Sequence, residues 1–159
     1  MSDDLPIDVL TELGRVTWAA IKLEDYTESL CSHIDPRDPL ADDRRPISKR
    51  IREAKQALAR RAASEMRDKA TAWLDRASVA IERRNAALHA TPIVWIDDER
   101  RCAFGLGELR RADRPYFGRP LTVESMSELR SVLDKAAEGW NDLVVAFGTE
   151  SMRQVPLDS

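Results

Sequence analysis

Three residues that lie close together in the sequence have side chains that could take part in chemistry: Arg84, Asn85 and His89. They supply a permanent positive charge, a hydrogen-bonding amide and an imidazole, and an imidazole ordinarily titrates near neutral pH. Asn85 and His89 are four residues apart, so in a helix they share one face. At the carboxyl end of that helix, the helix dipole would favour a protonated imidazole. The three side chains therefore gather at the end of one predicted helix.

The helix that carries these residues is predicted over 65–89 from the spacing of its apolar residues. Its stripe, with members three or four positions apart, consists of Met66, Ala70, Trp73, Ala77, Ala80, Arg84 and Ala87. Arg84 is the charged member of this stripe. Because a guanidinium group keeps its charge, burying it without a partner is costly. Arg84 must therefore pair with a carboxylate, or face a cleft or a partner surface.

A purely structural role would account for the same three residues. Arg84 could form an ion pair with an acidic residue of the first or last helix. Asn85 could hydrogen-bond a loop, and His89 could cap the end of its helix. These patterns alone leave both interpretations open.

The other elements follow from the same kind of spacing. Three further helices are predicted, over residues 7–31, 47–61 and 123–147. Ser64 fits the N-cap of the helix that carries Arg84, and Thr122 fits the N-cap of the last helix. The segment from Ile47 to Thr91 contains no glycine or proline, so it forms either one very long helix or two. The compactness of a domain and the capping residue Ser64 favour a break there.

Two short apolar segments, 93–96 and 101–106, are typical of a strand pair. Residues 35–46 hold three prolines and four aspartates, which predicts a loop. The sequence thus predicts a mostly α protein, a bundle of about four helices with a small β-hairpin before the last helix. We expect one domain over 1–150 and a flexible tail over 151–159.

Composition excludes several classes of protein. With 43% hydrophobic and 33% charged residues among 159, the chain resembles neither disordered nor membrane proteins. No apolar run approaches the ~20 residues of a membrane-spanning helix, and the acidic N-terminus argues against a secretory signal. Two distant cysteines and two histidines favour neither a disulfide scaffold nor a zinc site. We therefore expect a cytoplasmic protein with no metal, no cofactor and no membrane partner.

The net charge of −3 is unevenly distributed. Residues 1–43 carry eleven acidic and three basic side chains, whereas residues 44–61 carry eight basic and one acidic. Screening limits each charge to a range of about 8 Å at physiological salt. The basic helix could therefore bind phosphates locally, or it could be an ordinary solvent-exposed face.

The segment Arg84-Asn-Ala-Ala-Leu-His89 resembles the R-x4-6-H motif of the HEPN superfamily. Members of this superfamily are helical domains of prokaryotic toxins, phage-defence proteins and RNA-cleaving enzymes. The polar Asn85 directly after the arginine fits the family, and so does a motif near the end of a long helix. The stretch from Trp73 to His89 looks like small HEPN-like proteins of bacterial genomes. The resemblance covers the rest of the chain in outline and implies an up-and-down helical bundle.

The resemblance implies metal-independent cleavage of RNA by attack of a ribose 2′-hydroxyl. In that scheme His89 acts as general base or acid, Arg84 binds the scissile phosphate, and Asn85 orients the histidine or the phosphate. The products would carry 2′,3′-cyclic phosphate and 5′-hydroxyl ends, and DNA would be resistant. Further RNA contacts are expected from the basic residues Lys49, Arg52, Lys55 and Arg83.

Family members pair two such helices, so the resemblance also implies a homodimer with a composite active site. One toxin branch has R-x4-H-x-Y, with a tyrosine that a partner nucleotidyltransferase modifies, but here that position is Thr91. Many HEPN-like domains are inactive, so a non-catalytic protein-interaction or regulatory module is the alternative. A toxin or defence component with a cognate antitoxin or other partner protein is a third interpretation.

Overall fold

The structure, a computed structural model, describes residues 7–36, 45–88, 91–96, 102–107 and 120–153, with side chains over 7–36, 45–85 and 122–149. Five helices account for most of this part: α1 (Ile7–Ile34), α2 (Ile47–Ala59), α3 (Glu65–Leu88), α4 (Val123–Ala137) and α5 (Trp140–Arg153). The prediction of a mostly helical protein is confirmed. None of the helices in these ranges is long and apolar enough to cross a membrane.

Two of the helices begin at the predicted capping residues. The hydroxyl of Ser64 accepts a hydrogen bond from the backbone N–H of Arg67 at 3.1 Å. The hydroxyl of Thr122 accepts one from the backbone N–H of Ser125 at 3.2 Å. Each hydroxyl satisfies an N–H that the first helical turn leaves without a partner. The segment from 47 to 88 therefore forms two helices.

The prediction of a single helix over 123–147 is wrong, because the chain breaks between α4 and α5. Gly139 lies at this break with a φ of +78°, a conformation that is strained for residues with a Cβ atom. The indole N–H of Trp73 donates to the carbonyl oxygen of Glu138 at 3.0 Å. This bond fixes the break against α3.

The last helix also extends further than the spacing predicts. α5 ends at Arg153, so its final turn includes residues 151–153, which the sequence assigns to the tail. Residues 154–159 lie outside the described residues.

α4 and α5 lie beside α1 and run in the same direction. Arg130 of α4 contacts Glu12, in the first half of α1. Trp140, at the start of α5, stacks on Tyr26 further along α1, with ring centroids 4.1 Å apart. The two short helices thus cover one side of α1 along its length.

α2 also runs in the direction of α1, whereas α3 runs in the opposite direction. Arg50 near the start of α2 bonds to the Glu28 carbonyl, and Arg61 beyond its end bonds to the Ile34 carbonyl. The up-and-down alternation is therefore wrong for the first two helices. The twelve residues of 35–46 can span up to about 40 Å. This length is enough to connect the end of α1 to the start of α2 when both helices run in the same direction.

The segment between α3 and α4 contains three strands, β1 (Thr91–Ile96), β2 (Cys102–Gly107) and β3 (Pro120–Leu121). β1 and β2 are antiparallel and pair along their whole length. β3, which the sequence analysis does not predict, pairs with the end of β2. The strand order is β1-β2-β3.

The core lies between α1 and the four other helices. The largest fully buried side chains come from every helix except α5: Val16, Leu23, Thr27, Leu30, Ile34, Leu58, Trp73, Leu74, Met126 and Leu133. α5 adds Leu143 and Phe147, which are almost completely buried. α3 is thereby held with its apolar stripe against α1, and this positions Arg84.

Candidate functional site

Arg84 lies on the core-facing side of α3, one turn before the helix ends at Leu88. The buried residues Ala77, Ala80 and Ile81 precede it on the same side. Only 13% of its side chain is exposed. Burial lowers the pKa of the Arg84 guanidinium, because removal from water disfavours the charged form. The group nevertheless remains a cation, since arginine does not lose its proton in proteins.

The partner of this cation is Glu24, in the second half of α1. The Oε1 atom of Glu24 accepts a hydrogen bond from Nη2 of Arg84. The Glu24 side chain is 32% exposed, so the pair lies at the edge of the core. The acidic partner that the sequence leaves open is therefore on the first helix.

One polar atom of Arg84 is not accounted for by this ion pair. Its Nε atom is buried and has no hydrogen-bond partner in the described part of the chain. A buried donor without an acceptor costs about 1–3 kcal/mol. The guanidinium therefore has one N–H that no described residue satisfies, at an atom closed to solvent.

Of the other two motif residues, the structure describes only Asn85. Asn85 is exposed and lies about 100° around the helix from Arg84, so the two do not share a face. It follows Ser78 by seven residues and so lies on the same side of α3, two turns later. His89 lies outside the described residues.

An open groove between α2 and α3 contains two of the predicted RNA-binding residues. Arg52 and Lys55 line it from α2, and Asp75 and Ser78 line it from α3. Lys55 forms an ion pair with Asp75. Arg52 is exposed and has no ion pair within the described ranges. The groove therefore has one free cation and one that is already neutralised.

The other two predicted RNA-binding residues, Lys49 and Arg83, are both exposed but belong to different surfaces. Lys49 precedes Arg52 by three residues and so neighbours it on α2. Arg83 follows Ser78 by five residues, about 140° around α3, and does not line the groove. The structure thus brings Lys49, Arg52 and Lys55 to one side of the molecule and separates Arg83 from them.

The basic side of α2 extends toward the end of α3. Because Lys55 contacts Asp75 and the two helices are antiparallel, residues earlier in α2 approach residues later in α3. Lys49, at the start of α2, consequently lies toward Asn85. The exposed cations therefore lie along α2 in the direction of Asn85.

A second charged cluster, centred on Glu12 of α1, was not predicted from the sequence. The carboxylate is 4% exposed and accepts hydrogen bonds from Arg15 at 3.1 Å and from Arg130 at 2.8 Å. Burial raises the pKa of the Glu12 carboxyl, but the two guanidinium groups more than offset this effect, so the pKa lies below its ordinary value. Its spacing from Val9 and Val16 places Glu12 on the apolar stripe, a signal that would have identified it.

The remaining reactive groups do not form a site. Within the described ranges, no three histidine, cysteine, aspartate or glutamate side chains are grouped so that they could hold a metal ion. Cys31 is buried, and burial raises the pKa of its thiol to about 12. It therefore stays protonated at neutral pH and is a poor nucleophile.

Comparisons with protein-family models, with curated proteins and with solved structures find no match for this chain.

Proposed function

We propose that this protein is a metal-independent endoribonuclease of the HEPN type, acting in the cytoplasm as a toxin or defence component. The observation that carries this proposal is the state of Arg84. Its guanidinium is mostly buried near the end of α3, and its Nε–H finds no acceptor among the described residues. Asn85 follows directly, and His89 comes five residues later in the R-x4-H spacing.

In the proposed reaction, the 2′-oxygen of a ribose attacks the adjacent phosphorus, and the bond from phosphorus to the 5′-oxygen breaks. His89 takes the proton of the 2′-hydroxyl as general base, and the departing 5′-oxygen receives a proton from water. Arg84 stabilises the charge that develops on the phosphate oxygens. Asn85 orients the phosphate or the imidazole. The products carry a 2′,3′-cyclic phosphate and a 5′-hydroxyl.

The exposed cations of α2 support RNA as the substrate. Lys49 and Arg52 lie on the side of α2 that extends toward Asn85 and have no ion pair with any described residue. Lysine and arginine bind the phosphate backbone without regard to sequence. In this proposal they hold the strand whose scissile phosphate lies at Arg84.

The direct test is cleavage of RNA in EDTA by the full chain and its variants. We expect His89→Ala and Arg84→Ala each to lower the rate by about 100-fold or more. Arg83→Ala is the matched control, because it removes the neighbouring exposed arginine. A substrate with 2′-deoxyribose at the cleavage position should resist, because it lacks the attacking hydroxyl.

Arg84→Ala also removes the partner of Glu24, so lost activity could reflect lost folding. Glu24→Gln separates the two effects, since it breaks the ion pair but keeps the guanidinium. Thermal unfolding of each variant should be recorded beside the cleavage rate. No cleavage by the wild type, or equal cleavage by the Arg84, His89 and Arg83 variants, would contradict the proposal.

The Arg84–Glu24 ion pair favours one other function, a non-catalytic HEPN-like module that binds or regulates another protein. There the arginine joins α3 to α1 and has no substrate to bind. Arg84→Ala and Glu24→Gln would then lower stability by similar amounts, and the wild type would not cleave RNA. A cognate antitoxin or other partner protein would be the expected ligand.

A further inference from the structure

An open groove between α1 and α4 contains charged side chains and an exposed aromatic ring. Its volume is about 460 Å³, within the range of roughly 300–1,000 Å³ that is typical of small-molecule sites. We call it the α1–α4 groove and define it by six of the residues that line it: Gly14, Arg15, Trp18, Lys22, Arg130 and Asp134. The proposed nuclease activity uses none of these residues.

Two arginines of the α1–α4 groove are held by one carboxylate. Arg15 donates to Oε2 of Glu12 at 3.1 Å, and Arg130 donates to Oε1 of the same side chain at 2.8 Å. Glu12 is almost completely buried, whereas the Arg15 and Arg130 side chains are 61% and 38% exposed. Each guanidinium group is therefore fixed by the buried carboxylate and still accessible from the groove.

These two arginines have more hydrogen-bond donors than Glu12 can satisfy. A guanidinium group has five N–H donors, and among the described residues each of the two finds one acceptor, a Glu12 oxygen. Two positive charges also share one negative charge. The Lys22–Asp134 pair, at 3.4 Å, adds no net charge. The groove therefore has a surplus of positive charge and of free donors, and both favour a carboxylate or a phosphate group.

Trp18 and Gly14 form an apolar surface beside the arginines. Trp18 is 68% exposed and follows Gly14 by four residues, so the two are neighbours on one side of α1. A Cβ atom added to Gly14 would meet nothing within 4 Å, so the packing of the chain does not require a glycine there. The missing side chain leaves space in the groove next to the indole. A planar ring in that space can stack on the indole.

We infer that the α1–α4 groove binds a small organic anion that contains a planar ring. The anionic group, a carboxylate or a phosphate, accepts hydrogen bonds from Arg15 and Arg130. The ring lies over Gly14 and stacks on Trp18. Glu12 holds the two guanidinium groups in place and is itself too deeply buried to contact the ligand.

A small molecule suits this groove better than a nucleic-acid strand. A strand needs cations along its path, whereas here the two arginines with free donors meet at one carboxylate. Asp134 follows Arg130 by one helical turn, and its negative charge would repel a second phosphate. The ligand therefore carries its negative charge at one end and its ring at the other.

This inference does not rest on the proposed nuclease activity. Gly14 is ten residues before Glu24, the partner of Arg84, which corresponds to about 15 Å along α1. Substitutions in the α1–α4 groove should therefore leave RNA cleavage unchanged, and loss of the proposed nuclease function would leave this site intact.

Isothermal titration calorimetry of the full chain with four small probes tests the inference. Phenyl phosphate and phenylacetate combine a ring with an anionic group, whereas inorganic phosphate has no ring and benzyl alcohol has no charge. We expect phenyl phosphate, phenylacetate or both to bind at least about tenfold more tightly than inorganic phosphate and benzyl alcohol. The tighter of the two identifies the preferred anionic group.

Gly14→Gln tests the place of the ring, because the new side chain would fill the space next to Trp18. A Cβ atom has room there, and glutamine favours a helix more than glycine does. The variant should therefore be at least as stable as the wild type and should bind the probe at least about tenfold more weakly. Ile21→Gln is the matched control, because Ile21 is a partly exposed residue of α1 that does not line the groove.

Arg15→Ala and Trp18→Ala test the two kinds of contact. Each should weaken binding of the probe by about tenfold or more. Arg15→Ala leaves Arg130 to pair with Glu12, so the buried carboxylate keeps a partner. Arg76→Ala, which removes an exposed arginine of α3, should leave binding unchanged.

Three results would overturn the inference. The first is that neither phenyl phosphate nor phenylacetate binds. The second is that inorganic phosphate binds as tightly as phenyl phosphate, since the ring would then contribute nothing. The third is binding that Gly14→Gln and Arg15→Ala leave unchanged, which would place the ligand outside the α1–α4 groove.

Discussion

Arg84 and Glu24, 60 residues apart in the sequence, form an ion pair between the end of α3 and the second half of α1. The arginine is mostly buried, whereas about a third of the glutamate is exposed. Exposed pairs contribute about 0–1 kcal/mol, and breaking a fully buried pair costs about 3–5 kcal/mol. The Arg84–Glu24 pair is partly buried, so its contribution to stability should lie between these two limits.

Glu24→Gln should therefore lower the free energy of unfolding by about 1–3 kcal/mol, because it leaves the buried guanidinium without its counter-charge. Arg84→Met in the same chain should recover part of this loss. Denaturant unfolding of both single variants and the double variant measures the coupling. Arg83→Met, next in the sequence but exposed, should change stability little. Additive single effects would show that the ion pair contributes nothing.

The separation of the basic residues predicts how each contributes to RNA binding. Lys49→Ala and Arg52→Ala should each weaken binding, and each should reduce the slope of log affinity against log salt by about 1. Arg83→Ala should have a smaller effect, because it lies on another side of α3. Fluorescence anisotropy at several salt concentrations measures these affinities. Every variant should also carry His89→Ala, so that the RNA is not cleaved during the measurement. Equal slopes for all three variants would argue against a binding surface along α2.

The sequence predicted the position of Arg84 but not its partner. Apolar spacing places Arg84 against the core, and Ser64 and Thr122 begin their helices where capping chemistry predicts. Glu24 could not be identified, because its approach to Arg84 depends on how α1 and α3 pack together. Tertiary geometry of this kind leaves no local pattern in either helix.

The break at Gly139 was missed for a different reason. Leu133, Ala136, Trp140 and Leu143 keep helical spacing across it, so the apolar stripe continues although the helix does not. A glycine is compatible with either a helix interior or a positive φ, and the pattern does not distinguish them. Glu12 was missed although its spacing carried the signal, because the neighbouring Leu13 was assigned to the stripe between Val9 and Val16.

Glu12 should make stability sensitive to acid. Its pKa is lower in the folded protein than its ordinary value, because two guanidinium groups favour the carboxylate. The resulting stabilisation is present above the ordinary pKa and is lost as the pH falls through the folded-state value. Glu12→Gln should therefore be less stable than wild type at pH 7, and the difference should shrink in acid. Unfolding measured from pH 7 to pH 2 checks this, and a constant difference would contradict it.

Among the three glycines whose surroundings the structure describes, Gly139 should be the one at which alanine is most harmful. Nothing lies within 4 Å of the position that its Cβ would take, so the cost arises from the positive φ alone, about 1–2 kcal/mol. Gly148→Ala is the control: it lies inside α5, and its Cβ would meet the His33 ring at an ordinary 3.5 Å. That change should be neutral or stabilising by up to about 1 kcal/mol. Denaturant unfolding of the two variants distinguishes the effects, and if both behaved alike, backbone conformation would not be what Gly139 supplies.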